Sequence, residues 1–209
     1  MSDSGGLVAL IGDVFELAKL HGGGVAGFAL NQLLQKRLEA AREILFEELS
    51  RGRIRVSEAN LEDGLAIAYR FLRAAQEGAS RVNLRLLSQV IARQAWMGTM
   101  TADEFLYYAD ILGPLRRDEV ILVGCLHRTW HAQDAVADVG QRRIATIRVL
   151  QQELIPAVFE SNDDLFAIAD SLTRTGLVST VAAYGGAFYQ PTPLLERLVT
   201  MVDLEAAAA

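Results

Sequence analysis

Gly176-Leu177-Val178-Ser179-Thr180-Val181-Ala182-Ala183-Tyr184-Gly185-Gly186-Ala187-Phe188-Tyr189-Gln190-Pro191-Thr192-Pro193 is the stretch that decides the fold. β-Branched and aromatic residues stand on both sides of Gly185-Gly186, the pattern of an antiparallel hairpin closed by a glycine turn. Outward from it the period changes from two to that of a helix. Upstream, Ser161-Asn162-Asp163-Asp164 supplies an N-cap and an acidic first turn for a helix over 165–174. A helix over 141–154 is stopped by Pro156. After Arg117-Asp118-Glu119, the positions Val120, Val123, Leu126 or His127, and Trp130 keep core spacing. Thr101-Ala102-Asp103-Glu104 reads as a capping-box start for a short helix carrying Phe105, Leu106, Tyr108, Ala109 and Leu112, ended by Gly113-Pro114. Downstream, residues 194–204 read as a closing helix.

The first hundred residues contain no proline, which favours long uninterrupted helices. The spacing predicts helices over 13–20, 25–50, from Ser57 to Gly78, and 80–96, with a break at Gly22-Gly23-Gly24. The second has Leu30, Leu33, Leu34, Leu38, Ala41, Leu45 and Leu49 on one face, with Lys36, Arg37, Glu39, Arg42, Glu43, Glu47 and Glu48 on the other. The third has a stripe of Leu61, Leu65, Ala68 or Tyr69, and Leu72. The expected fold is therefore mostly α: a bundle-like helical region over 1–100, then an α+β domain over 101–209 with one β-hairpin.

Composition narrows the classes further. Of 209 residues, 51% are hydrophobic and 22% charged, which excludes a disordered or fibrous chain. The single cysteine, Cys125, cannot close an intramolecular disulfide, and a cytoplasmic location is the expectation. Met1 to Gly6 has no Lys or Arg, so no secretory leader is expected. The longest charge-free apolar run, from Gly22 to Gln35, is shorter than the ~18 residues of a membrane span. Gly23 and Gly27 have the spacing of close helix approach, for which a helix break is the simpler account.

Leu172, Arg174, Gly176, Leu177, Val178, Tyr189 and Thr192 stand where the winged helix-turn-helix family has a helix ending in a leucine–basic–glycine–leucine–valine phrase, a β wing, and a tyrosine–threonine phrase before a closing helix. Residues 101–205 resemble that family. The resemblance implies a helix that leads into a β wing and enters the DNA major groove, and a closing helix after the wing.

The residues argue against DNA as the ligand. The helix before the hairpin has Asp163, Asp164 and Asp170 against Arg174 alone, and residues 177–190 contain no Lys or Arg. Residues 101–209 have eight basic and fifteen acidic side chains, whereas each phosphate contact needs a cation. Val181, Tyr184, Phe188 and Tyr189 are instead candidate contacts for a protein partner. The cations that remain are Arg51, Arg53 and Arg55, which alternate with Gly52, Ile54 and Val56 and share one face of an extended segment, and Arg142, Arg143 and Arg148 on a helix. These six are the nucleic-acid alternative; pairing of the first three with Glu47, Glu48 or Glu58 is the simpler account of that group.

His127 and His131, four apart on one helix face, with Asp134 three further on, are the metal-ligand candidates. No glutamate follows the first histidine as in the zinc-protease helix motif. Cys125 reads as a small core residue. No phosphate-binding loop, nucleophile elbow or acid–base pair stands out, and no catalytic residue or cofactor is assigned. The expected function is a non-enzymatic protein-interaction or regulatory module that self-associates, with a DNA-binding transcriptional regulator and a metal-dependent activity as alternatives.

Overall fold

The computed structural model describes residues 4–20, 28–56, 60–136, 138–183 and 186–208. Among them the chain is mostly α with one two-stranded antiparallel sheet. It forms two compact units, Met1–Pro114 and Leu115–Ala209.

The first unit contains α1 (Ser4–Leu20), α2 (Phe28–Ser50), α3 (Leu61–Glu77), α4 (Arg81–Met97) and α5 (Ala102–Leu112). α1 packs on α3, α2 on α3 and α4, and α5 on both α3 and α4. Phe15 and Phe71, both buried, meet at the centre with ring centroids 6.5 Å apart. α4 starts as its sequence indicates: the Ser80 hydroxyl accepts from the backbone N–H of Asn83, and Gly98 closes the helix at φ +70°. The predicted break at 22–24, the Gly23/Gly27 pair and the Ser57 cap lie outside the described residues.

Four expectations need correction here, the first being Leu33, placed on the apolar face of α2 but 49% exposed. The Thr101 side chain makes no cap; Asp63 of α3 accepts from the backbone N–H of Ala102 at 3.0 Å, and Glu104 accepts from Gln94 at 2.8 Å. Glu48 is not on the solvent face of α2 but buried, its two oxygens each 3.0 Å from Nη1 of Arg51. The stripe of α3 is rotated: Gly64, Ile67, Ala68, Phe71, Leu72, Ala74 and Ala75 are buried, while Leu65 and Tyr69 face outward.

The second unit runs α6 (Arg117–Ala132), α7 (Val139–Leu154), α8 (Asn162–Leu172), a short 3-10 turn Thr173–Thr175, β1 (Val178–Ala183), β2 (Gly186–Pro191), α9 (Pro193–Val199) and α10 (Leu204–Ala208). Helices followed by a single hairpin and short closing helices match the α+β organisation with one hairpin expected from the sequence. The α8 N-terminus is capped by Ser161, and Gly176 reverses the chain at φ +72°, a conformation that favours glycine. The strands pair from Val178 opposite Pro191 to Ala183 opposite Gly186, so Gly186 is a strand residue rather than part of the turn. The closing helix predicted over 194–204 is two short helices, α9 and α10, interrupted after Val199.

No helix among the described residues is long and apolar enough to cross a membrane.

Candidate functional site

The hairpin and α8 come first, since the sequence places the wing there. Val181 and Phe188 are paired across the strands and half-buried. Tyr189, next along β2, points to the other side. It is buried, stacks on Phe166 at 6.1 Å between centroids, and donates its hydroxyl proton to Asp170 at 2.8 Å. Burial and the Asp170 carboxylate push that phenol above its ordinary value. Tyr189 thus holds the wing to α8. Tyr184 lies outside the described residues.

Arg174, the single base of the α8–hairpin segment, is engaged with its own fold. Its Nη1 and Nη2 donate to the two oxygens of Glu119 at 2.7 and 3.1 Å. Glu119 is only 2% exposed and also accepts from Ser171 at 2.8 Å and from the Arg116 backbone N–H at 2.8 Å. Burial alone would raise its pKa, but these donors outweigh burial and hold the carboxyl below its ordinary range.

The other basic candidates divide. Arg142 lies over the Trp130 ring at 4.1 Å, donates to the Trp130 carbonyl and pairs with Asp134. Arg143 donates to Gln190 of β2 at 2.9 and 3.1 Å. Arg51 pairs with Glu47 and Glu48. Arg53, Arg55 and Arg148 are exposed, and Ile54 and Val56 between and beside the first two are buried, which is the alternation that an extended segment imposes.

His127 and His131 occupy successive turns of α6, their ring centroids 4.6 Å apart. Glu196, in the first turn of α9, completes the group. Its Oε2 is 3.2 Å from Nε2 of His127, and both its oxygens are 3.0 Å from Nε2 of His131. One ligand atom from each of the three residues falls within 4.8 Å of the others, the only such group of three found among the described residues. Asp134 is not beside Glu196: its Oδ2 is 3.2 Å from Nδ1 of His131, on the opposite side of the ring. Burial lowers the His131 pKa, but the carboxylates of Glu196 and Asp134 outweigh that and hold it above its ordinary value. Sequence reasoning missed Glu196. Its one signal, an acidic residue in a first helical turn, is explained equally well by the helix dipole.

Cys125, two residues before His127 on α6, is a core residue. It is buried, with Sγ 3.3 Å from Glu153, and burial followed by that carboxylate pushes the thiol up to about 11. The thiolate that a nucleophile needs is therefore disfavoured.

On the first unit, α1 and α3 enclose a groove of about 480 Å³ lined by the apolar Val14, Leu17, Ala18, Leu65, Tyr69 and Leu72 and by Arg73 and Gln76. Leu17, Leu65 and Tyr69 are 57%, 47% and 66% exposed.

Comparison of the chain with protein-family models, with curated proteins and with solved structures gave no match. The functional reading therefore rests on these geometries alone.

Proposed function

We propose that the chain is a non-enzymatic protein-interaction or regulatory module whose first partner is a second copy of itself. The observation that carries this reading is the α1–α3 groove. Three large apolar side chains are about half exposed or more along it, and burying their exposed parts against a partner is favourable, each by less than the ~1.5–3 kcal/mol of a fully buried Leu. A groove between two helices suits the apolar face of a third. The engagement of Arg174 with Glu119 supports the same reading, because it takes the one base between α8 and the hairpin away from any polyanion.

Sedimentation velocity tests the proposal. The wild-type chain is expected to show a concentration-dependent dimer, and Tyr69→Glu or Leu65→Glu to sediment as a monomer with unchanged helical circular dichroism. A wild-type chain that is monomeric at every concentration overturns it.

A second reading, a DNA-binding regulator, has Arg53, Arg55 and Arg148 in its favour, since all three residues are exposed. A low-salt mobility shift of labelled duplex DNA, weakened by Arg53→Ala with Arg55→Ala, is its expected signature. Absence of any shift in low salt removes it.

A further inference from the structure

We propose that His127, His131 and Glu196 bind a zinc ion, and that the ion fastens α9 to α6. Two imidazoles and one carboxylate are a donor set that zinc accepts, leaving a fourth position for water or another ligand. Around a tetrahedral zinc with bonds of ~2.1 Å, neighbouring ligand atoms stand about 3.4 Å apart. The Glu196 oxygens stand 3.0 and 3.2 Å from the two Nε2 atoms and the three ligand atoms lie within 4.8 Å of one another, so modest side-chain movements would bring them to that spacing.

Independent support comes from the other side of His131. A ligating histidine characteristically gives its second ring N–H to a carboxylate, which fixes the tautomer and aims the free nitrogen at the metal. Asp134 stands at 3.2 Å from Nδ1 and is itself held by Arg142, whose guanidinium is stacked on Trp130. A chain of Trp130, Arg142, Asp134 and His131 thus orients Nε2 toward Glu196. His127 is half-buried, and its ring is fixed by its neighbour on the next turn of α6. Glu196 is fixed by the cap of α9, where the Thr192 hydroxyl accepts from the Leu195 backbone N–H at 3.3 Å.

The test is equilibrium dialysis of the chelator-treated full-length protein against zinc, with the bound metal measured by elemental analysis. One zinc per chain is expected. Affinity should fall roughly tenfold or more in His127→Ala, His131→Ala and Glu196→Gln, and by roughly 10- to 100-fold in Asp134→Asn, which touches only the outer nitrogen. Glu196→Gln keeps a hydrogen-bond acceptor for both rings, so helical circular dichroism matching wild type separates loss of a ligand from loss of fold. Cys125→Ser should bind as the wild type does. The proposal is overturned if no zinc is retained, if Glu196→Gln binds with undiminished affinity, or if the Cys125 substitution abolishes binding while the histidine variants keep it.

Discussion

Glu119 shows how one buried charge can decide what a surface is able to do. It needs cationic and polar donors, and it takes Arg174, the Ser171 hydroxyl and the Arg116 amide to obtain them. Removing the guanidinium leaves a buried carboxylate short of a partner. Because Arg174 is itself half exposed, Arg174→Met is expected to cost about 1–3 kcal/mol rather than the full loss of a buried pair. The sign with pH follows from the lowered pKa. The stabilisation from Glu119 is present above its ordinary value of 4.5 and is lost as pH falls through its lower folded value. Urea denaturation of wild type and Arg174→Met across that range should therefore show a gap that closes on the acid side; a gap independent of pH would count against this account. The sequence makes plain that Arg174 is alone in its segment. It gives no hint of a taker fifty-five residues upstream, because that pairing exists only once α6 and α8 are packed.

Helices were legible from periodicity, and their faces less so. In α3 apolar side chains occur almost all the way round, so a 3.6-residue period is satisfied by more than one stripe. The stripe through Leu65 and Tyr69 is apolar, but the one through Ile67, Phe71 and Ala74 fills the core. Spacing fixes the period of a helix, and packing fixes its phase. Caps behave in the same way: Ser161 acts where the sequence places it, while Thr101 is displaced by Asp63, which approaches from another helix. Glu196 was illegible for the same reason, since a carboxylate sixty-five residues from the His131 it contacts has no local signature. Thr192 provides a test at this scale. Its hydroxyl caps α9 and donates to the Gly176 carbonyl at 2.6 Å, joining the helix start to the segment that enters β1. Thr192→Ala is expected to destabilise by about 1 kcal/mol, read as a lowered midpoint in thermal denaturation. Thr192→Ser should restore most of it, and an unchanged midpoint in the alanine variant would show the cap to be idle.

At the scale of the molecule, the two units differ in fold, while both are net acidic: Met1–Pro114 has 12 basic and 14 acidic side chains and Leu115–Ala209 has 8 and 12. Acidic groups outnumber basic ones after residue 100, and basic groups predominate over 31–100. The compact units divide at Pro114, with α5 packed on α3 and α4. A capping signal at Thr101 reads like the opening of a domain, yet the contacts of α5 are made by Phe105, Tyr108, Ala109 and Leu112, all buried in the first unit. A sequence shows where a helix begins more readily than which core receives it.

The buried thiol of Cys125 has a practical consequence. It is the chain's sole cysteine and belongs to the second unit, and with its proton held to about 11 it is nearly inert while α6 stays packed. Its reaction with an aromatic disulfide reagent therefore keeps time for one half of the molecule. Colour should develop slowly in native buffer and at the rate of a free thiol once the second unit opens. Followed beside helical circular dichroism in increasing urea, it separates the unfolding of the second unit from that of the first. A thiol that reacts immediately in native buffer would refute the buried setting described for it.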